Sequence, residues 1–369
     1  MSETGRLCEF HAPKQPFQLT TRDVPDPKPG AVVVKVTTCN ICGSDVHAWN
    51  GDFKTTALGG KLPTVLGHEM IGEVAALGEG VSKDSNGQPL AVGDRVTYTY
   101  FSACGKCPNC LKGHQVACHN LTMAMLGASE EWPHFVGGYA DYFYVNPGST
   151  IYKVADDIPD ELAAGANCAL SQVLFGFQRA GLTFGETVVI QGAGGLGIYA
   201  AAVAKEFGAA SVVVLDAVDE RLDLARRFGA DHTININDID DPKARAKEVR
   251  KYTGGRGGDV VMELVGRPNV MPEGIGLTAM MGRYVIIGNI NYGLTYEADP
   301  SRLVMANKTL IGVSLYTPGV LGQALAFIDR TKHKLPYEEL LSSKYPLEKI
   351  DEAFRAANNL EVARASIVL

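Results

Sequence analysis

Short apolar, β-type runs punctuated by Gly, Pro and Asp characterise the first 150 residues of the chain. The clearest of them are Ala31–Thr37, Met70–Ala75, Asp94–Tyr98 and Tyr139–Val145. Short strands between turn residues at this density are typical of a compact β-barrel. The sequence therefore predicts a barrel-like β domain over residues 1–170.

From about residue 171 the apolar runs become continuous and alternate with helical patterns. Four runs are predicted as buried strands: Thr187–Gln191, Ser211–Asp216, Asp259–Glu263 and Arg283–Gly288. Two of the intervening helical patterns are Ile198–Phe207 and Glu220–Phe228. Buried strands that alternate with helices predict a doubly wound parallel sheet, here over residues 171–313, and an α/β fold class.

The remaining residues, 314–369, carry two helical patterns, Leu321–Arg330 and Leu347–Ala357, and end in the β-type run Ala365–Leu369. We expect this last segment to return to the first domain.

Composition and charge narrow the class of protein without changing this architecture. The chain is 46% hydrophobic and 20% charged, which is typical of folded globular proteins. Its formal net charge of −7 offers no broad cationic surface, so we expect neither a nucleic-acid nor a membrane partner. The first residues lack the apolar core of a secretory signal, and we expect a cytoplasmic protein.

A glycine-rich turn follows the first buried strand of the second domain. Its glycines permit a tight turn and close approach of a pyrophosphate to the free N–H groups of the following helix. The next strand ends at Asp216, nineteen residues after Gly197, where a carboxylate bonds ribose hydroxyls and repels a 2′-phosphate. The pattern predicts a dinucleotide site that favours NAD, although Arg221 could accommodate a phosphate. The expected pyrophosphate contacts are Gly192, Gly194, Gly195, Leu196 and Gly197.

Four cysteines lie within fifteen residues at spacings of 3, 3 and 8: Cys104, Cys107, Cys110 and Cys118. Four thiolates from one loop form a closed tetrahedral shell for Zn²⁺, with no open position for a substrate. An iron–sulfur cluster is the alternative, but its pattern has a nearer fourth cysteine that is followed by Pro. The spacing therefore predicts a structural zinc site.

A second set of metal-ligating residue types is spread along the chain: Cys42, Asp45, His47, His68, Glu69 and Cys168. Two thiolates and an imidazole would leave a fourth zinc position open for water or an alcohol oxygen. Taken singly, each Cys or His is more typical of a buried core residue. Their presence beside the dinucleotide motif favours a catalytic metal site.

Two cysteines and one histidine are the zinc ligands of alcohol dehydrogenase, and the wider pattern resembles the zinc-dependent medium-chain dehydrogenase/reductase family, in its alcohol dehydrogenase branch. The resemblance implies a GroES-like catalytic domain with a zinc lobe (1–170 and 314–369) and a Rossmann NAD-binding domain (171–313). It covers nearly the whole chain, through Cys42–His47, Gly67–Val74, Cys104–Cys118, Cys168, Gly192–Gly197 with Asp216, and Glu263–Arg267.

By the same resemblance, Cys42, His68 and Cys168 would hold a catalytic zinc. Glu69 would stand beside the metal as an exchangeable or outer carboxylate, and Asp45 would orient the imidazole of His68. One catalytic and one structural zinc per chain are therefore expected.

The resemblance also implies a proton relay and further cofactor contacts. Ser44 would touch the substrate oxygen and pass its proton through the nicotinamide ribose to His47. Val265 and Arg364 would contact the NAD, with Arg364 near its pyrophosphate.

Pocket residues are harder to assign. Residues 121–138 contain Met, Trp and Phe but no motif, and we expect them to form an interdomain or subunit contact rather than a substrate lid. Tyr100 or Phe101, and Asn289 and Ile290 after a predicted strand, are better candidates.

The function implied is an NAD-dependent zinc alcohol dehydrogenase that reversibly oxidises a small-molecule alcohol, working as a homodimer or homotetramer. Ser rather than Thr at position 44 leaves room for a secondary, cyclic or bulky alcohol. A polyol or threonine dehydrogenase of the same family is the alternative, although such relatives place a carboxylate where this chain has Cys168. A non-catalytic NAD- or redox-responsive zinc protein is a third hypothesis, which the relay residues Ser44 and His47 argue against.

Overall fold

The computed structural model describes residues 3–341 and 343–369, which contain eighteen strands. In chain order these are β1 (Thr4–Phe10), β2 (Gln18–Asp23), β3 (Val32–Asn40), β4 (Thr64–Val65), β5 (Glu69–Leu77), β6 (Arg95–Tyr98), β7 (Phe101–Ser102), β8 (Thr122–Met123), β9 (Tyr142–Val145), β10 (Ile151–Lys153), β11 (Thr187–Gln191), β12 (Ser211–Asp216), β13 (His232–Asn235), β14 (Gly258–Glu263), β15 (Thr278–Ile286), β16 (Thr309–Gly312), β17 (Ser343–Pro346) and β18 (Ala365–Val368).

Twelve α-helices occur in the same described residues. They are α1 (Gly43–Asn50), α2 (Pro108–Leu111), α3 (Asp160–Gly165), α4 (Ser171–Ala180), α5 (Gly195–Glu206), α6 (Asp219–Arg227), α7 (Pro242–Tyr252), α8 (Met271–Leu277), α9 (Ser301–Val304), α10 (Gly319–Thr331), α11 (Tyr337–Leu340) and α12 (Ile350–Asn358). A π-helix, Ala166–Leu170, joins α3 to α4. None of the helices in the described ranges is both long enough and apolar enough to span a bilayer.

Packing divides the chain into two compact units. Unit 1 comprises Met1–Ser171 and Tyr316–Leu369, and unit 2 comprises Gln172–Leu315. The last segment of the chain thus packs with the first.

A largely antiparallel seven-stranded sheet forms the body of unit 1. Its order is β10-β6-β5-β3-β18-β17, with β9 also paired to β3, and a second sheet has the order β2-β1-β4. Most side chains of β3 are buried on both faces of the sheet. Strands β3 and β5 approach so closely that a Cβ at Gly72 would overlap the carbonyl oxygen of Lys35. This part of the barrel therefore requires glycine.

Two buried polar side chains attach the C-terminal strand to β3. Ser366 Oγ donates a 2.7 Å hydrogen bond to Asn40 Oδ1, and both residues are fully buried. Asn40 Nδ2 in turn donates to the carbonyl of Glu161 on α3 at 2.9 Å. Since unpaired buried polar groups are costly, these bonds fix the end of β3, which leads directly into Cys42.

A six-stranded parallel sheet with the order β13-β12-β11-β14-β15-β16 forms unit 2. Its central strands are almost wholly buried, as expected of a sheet covered by helices on both faces. The register brings the last residues of β11, β12 and β14 to one edge: Gln191, Asp216 and Glu263. The sheet confirms the predicted α/β class and its doubly wound second domain.

Residues 121–138 pack within unit 1 through buried hydrogen bonds. Thr64 Oγ1 donates to the carbonyl oxygens of Met125 and Gly127 at 2.9 and 2.7 Å. Ser129 Oγ donates to the carboxylate of Glu9 on β1 at 3.0 Å. These contacts build the segment into the body of unit 1, and its role in an interdomain or subunit contact or as a substrate lid stays a prediction.

Candidate active site

Four buried residues with metal-ligating atoms converge in unit 1: Cys42, His68, Glu69 and Cys168. One ligand atom of each lies within 4.8 Å of the others. They come from the start of α1, the turn before β5, the first residue of β5 and the π-helix. The structure thus brings together the three predicted zinc ligands and Glu69, the carboxylate that we expected beside the metal.

The buried carboxylate of Asp45 holds two of these segments in place. Its oxygens accept hydrogen bonds from the backbone N–H of Cys42 (3.1 Å), the N–H of Gly67 (3.3 Å) and the hydroxyl of Tyr139 (3.0 Å). The same carboxylate lies 3.3 Å from His68 Nδ1 and orients the imidazole, so that Nε2 lies beside Ser44. The contact with His68 was predicted, whereas the contribution of Tyr139 was not, because nothing in its run of β-type residues distinguishes it.

Cys168 lies in the π-helix Ala166–Leu170, a wider turn than an α-helix. The neighbouring Asn167 anchors this turn, since its Nδ2 donates to the carbonyl of Tyr98 at 3.0 Å. The hydroxyl of Tyr316 donates to the carbonyl of Asn167. Both contacts fix the backbone that presents the Cys168 thiol.

The charges in this cluster favour a bound cation. A hydrogen bond with Cys168, aided by the imidazole of His68, lowers the pKa of Cys42 well below its usual range despite burial. Burial alone would lower the pKa of His68, but Asp45 and the Cys42 thiolate outweigh it and raise that pKa to about 10. A thiolate therefore forms readily here, and the thiolate is the form in which a cysteine ligates a metal. Two thiols, one imidazole and a nearby carboxylate fit the donor set of Zn²⁺.

Glu69 and Arg364 form an ion pair that the sequence did not predict. Both side chains are almost completely buried, and Arg364 Nη2 contacts Glu69 Oε2. The resemblance assigned Arg364 to the cofactor pyrophosphate. In the structure its guanidinium pairs with the Glu69 carboxylate, which lies within 4.8 Å of the other three donors, and the cofactor contact stays a prediction.

Ser44 and His47, the predicted relay residues, both lie on α1. Ser44 Oγ is 3.4 Å from His68 Nε2, so its hydroxyl borders the metal-ligand cluster. The His47 side chain is about one-third exposed, and its Nδ1 lies 3.4 Å from the exposed carboxylate of Asp52. Among the described residues no hydrogen bond joins Ser44 to His47, but their i,i+3 spacing places them on one helix face.

Tyr100 forms an aromatic wall of the cluster. Its ring centroid is 4.8 Å from that of His68, and its hydroxyl is 4.0 Å from the sulfur of Cys168. The ring is almost completely buried. Of the two aromatic residues considered from the sequence, Tyr100 is therefore the one beside the predicted metal ligands.

The four clustered cysteines form a second, separate set in unit 1. The sulfur–sulfur distances are 3.5 Å for Cys104–Cys118, 3.5 Å for Cys107–Cys110 and 3.9 Å for Cys107–Cys118. A tetrahedron with Zn–S distances of about 2.3 Å has sulfur–sulfur edges of about 3.8 Å. All four thiols are free and too far apart for a disulfide. Their arrangement fits a closed zinc site.

In unit 2 the predicted pyrophosphate contacts lie in the turn from β11 to α5. Gly192 has a φ of +98°, and a Cβ at Gly197 would overlap the Gly192 carbonyl oxygen. No side chain of the described chain caps α5, so its first N–H groups stay available for an anion. Val265 lies beside this turn, because a Cβ at Gly192 would approach Val265 Cγ2 to 3.1 Å.

The carboxylate of Asp216 is fixed at the end of β12. One oxygen accepts from the N–H of Ala193 in the glycine turn at 2.6 Å. The other accepts from the N–H groups of Ala217 and Val218 at 2.8 and 3.0 Å. Arg221 is half-buried in the first turn of α6. The structure thus places Asp216 at the glycine turn, where its motif predicted it.

Two family models match the chain: "Alcohol dehydrogenase GroES-like domain" over residues 28–156 and "Zinc-binding dehydrogenase" over residues 195–330. The first match confirms the predicted GroES-like domain.

Curated relatives and a solved structure match over nearly the full length. The 5-exo-hydroxycamphor dehydrogenase of Pseudomonas putida is 34% identical over 95% of this chain and 94% of its own. The L-threonine 3-dehydrogenase of Pyrococcus horikoshii is 32% identical over 91% of this chain and 90% of its own. The crystal structure of an alcohol dehydrogenase from Thermotoga maritima is 26% identical, with a TM-score of 0.92 and complete coverage of both chains. The chain belongs to the zinc-dependent medium-chain dehydrogenase/reductase family, in its alcohol dehydrogenase branch.

Proposed function

We propose that the protein is an NAD-dependent zinc alcohol dehydrogenase that reversibly oxidises a secondary alcohol to the ketone. The observation that carries this proposal is the buried convergence of Cys42, His68 and Cys168 beside the hydroxyl of Ser44. Three such donors leave a fourth metal position open, as catalytic rather than structural zinc sites do.

Each group has a separate task in this reaction. Cys42, His68 and Cys168 would hold the catalytic zinc, and Cys104, Cys107, Cys110 and Cys118 the structural one. When bound, the catalytic zinc supplies Lewis acidity, which lowers the pKa of the substrate hydroxyl. The nicotinamide supplies the hydride acceptor, while the protein fixes distance and excludes water.

Ser44 and His47 would carry the proton. The Ser44 hydroxyl borders the metal-ligand cluster and both donates and accepts hydrogen bonds. It would accept the proton of the substrate hydroxyl, and His47 would take up that proton at the outer end of the relay; a bound nicotinamide ribose would supply the hydroxyl between them. His47 is partly exposed and would release the proton to solvent.

The substrate class is supported by the hydroxycamphor dehydrogenase relative, whose named substrate is a cyclic secondary alcohol. The threonine 3-dehydrogenase relative supports the second candidate, an amino-alcohol or polyol substrate. Cys168 as the third ligand favours the first, because we expect a carboxylate there in the polyol and threonine enzymes.

We expect zinc-replete protein to reduce NAD with cyclic secondary alcohols at a kcat/KM at least about tenfold above that for primary alcohols, polyols or L-threonine. The reason is that an apolar ring gains burial that a polyol cannot. The measurement is NADH absorbance across one panel of these alcohol classes. Preference for polyols or threonine would establish the second candidate. If NAD binds but no alcohol is oxidised, the result would favour the hypothesis of a non-catalytic NAD- or redox-responsive zinc protein.

Zinc analysis should find two ions per chain in the purified protein. Cys168→Ala should lose the catalytic zinc, retain the structural one and lose turnover. Cys107→Ala should lose the structural zinc and unfold at a lower thermal midpoint, because a closed zinc site contributes directly to folding. Elemental analysis together with thermal melts measures both effects. Cys8→Ala is the matched control, since Cys8 is buried and outside both sets, and its zinc content should not change. Equal zinc in all three variants would contradict the assignment.

Ser44→Ala should lower kcat by about 100-fold or more while leaving NADH affinity within about twofold, because the variant loses only a proton-transfer group. His47→Gln should have a smaller effect, since water can replace the last member of a relay. Steady-state rates and NADH fluorescence titration give the two quantities. Ser82→Ala, at an exposed loop position of unit 1, is the control. Undiminished turnover in Ser44→Ala would exclude the relay.

Asp216→Asn should raise the ratio of kcat/KM for NADP to that for NAD by about tenfold, because it removes the negative charge that repels a 2′-phosphate. Asp219→Asn is the matched control: Asp219 is an exposed carboxylate that accepts from Asn235 Nδ2 at 2.7 Å. The control should leave the ratio unchanged. If both variants shift the ratio equally, general charge rather than ribose contact sets the preference.

A further inference from the structure

The order of the parallel sheet in unit 2 determines which strands can meet each half of a dinucleotide. The pyrophosphate turn follows β11, and Asp216 ends β12 on one side of it. If Asp216 binds the adenosine ribose, the other half of the cofactor extends across the opposite side. That side is formed by the carboxyl ends of β14 and β15.

Glu263, the last residue of β14, joins the two loops at this edge. It is fully buried. Its Oε1 accepts hydrogen bonds from the N–H groups of Val265 and Gly266, both at 2.7 Å. Its Oε2 accepts from the N–H of Asn289, after β15, at 3.1 Å. One carboxylate therefore bonds the backbone of both loops.

Close packing makes this connection rigid. A Cβ at Gly288 would lie 2.5 Å from the amide nitrogen of Gly266 and 2.9 Å from Glu263 Oε1. Gly266 itself has a φ of +79°, which favours glycine. The backbones of the two loops thus contact each other directly, beside the Glu263 carboxylate that bonds both of them.

The loop after β15 also carries two buried side-chain polar atoms that make no hydrogen bond within the described chain. They are Asn289 Nδ2, a donor, and Asn291 Oδ1, an acceptor. Leaving such an atom unpaired is energetically costly. A primary carboxamide has one acceptor oxygen and a donor NH₂, which complements this pair of atoms.

We propose that Glu263 is a positioning residue for the nicotinamide half of the cofactor site: its carboxylate fixes the loops after β14 and β15 so that Asn289 and Asn291 meet the nicotinamide carboxamide. The inference rests on the proposed use of a nicotinamide dinucleotide. It assigns to Glu263 an indirect role, through the backbone of both loops.

Glu263→Gln tests this role, because Gln offers one acceptor and one NH₂ where the carboxylate offers two acceptors, and at least one loop N–H loses its partner. The readouts are NADH affinity by fluorescence and ADP-ribose affinity by competition with NADH. We expect NADH binding to weaken about tenfold and ADP-ribose, which lacks nicotinamide, to stay within about twofold.

Asp259→Asn is the matched control at the opposite end of the same strand. Asp259 Oδ2 accepts from the N–H and Oγ1 of Thr187, both at 2.9 Å, so this carboxylate also bonds a neighbouring strand. We expect Asp259→Asn to lower the unfolding midpoint without changing either affinity. Asn289→Ala, which keeps the backbone N–H on Glu263, should weaken NADH but not ADP-ribose, and it serves where Glu263→Gln fails to fold.

The outcomes separate this inference from the proposed function. If wild-type protein binds neither NADH nor ADP-ribose, the dinucleotide proposal itself fails. If wild-type protein binds both but Glu263→Gln and Asn289→Ala bind NADH normally, only the positioning role is overturned. Equal weakening of NADH and ADP-ribose would also overturn it, because that pattern indicates general damage to unit 2.

Discussion

The buried carboxylate of Asp45 is the interaction on which the metal-ligand cluster depends. A charge in this position is tolerated only when its hydrogen-bonding capacity is met. Asp45 meets it with hydrogen bonds from the N–H groups of Cys42 and Gly67 and the hydroxyl of Tyr139, and it lies 3.3 Å from the imidazole Nδ1 of His68. These contacts fix the segments that carry two of the predicted ligands, Cys42 and His68, relative to each other.

Local sequence patterns predicted the secondary structure correctly where it depends on the residues of a single strand. The apolar runs predicted β11 and β12 to the residue, because a strand buried on both faces has a continuous apolar sequence. The strand predicted from Tyr139 begins only at Tyr142, since the N–H groups of Gly138 and Tyr139 bond the carbonyls of Gly67 and Leu66. Such a tertiary contact leaves no local signal.

The candidate site divides in the same way. The spacing of the cysteines from Cys104 to Cys118 predicted a set of metal ligands, and the glycine turn predicted a set of pyrophosphate contacts. Each set lies within one short segment, so its pattern is visible in the sequence. The contact between Tyr139 and Asp45 spans 94 residues, and the bonds from Glu263 join two separate loops. Neither residue type is unusual in its local run. Sequence reasoning therefore identified the groups suited to chemistry but missed most of the groups that hold them in place.

The two cysteine-containing sets differ in that one of them includes a donor, Glu69, that is already held in a buried ion pair. In the lobe from Cys104 to Cys118, four thiols surround one point without a competing ion pair among the described residues. The other set also has four donors within 4.8 Å, but Glu69 is paired with the buried guanidinium of Arg364. Removing one partner of a buried ion pair costs about 3–5 kcal/mol, so the pair with Arg364 opposes transfer of the Glu69 carboxylate to a metal. The ion pair is the feature that distinguishes this set from the four clustered cysteines.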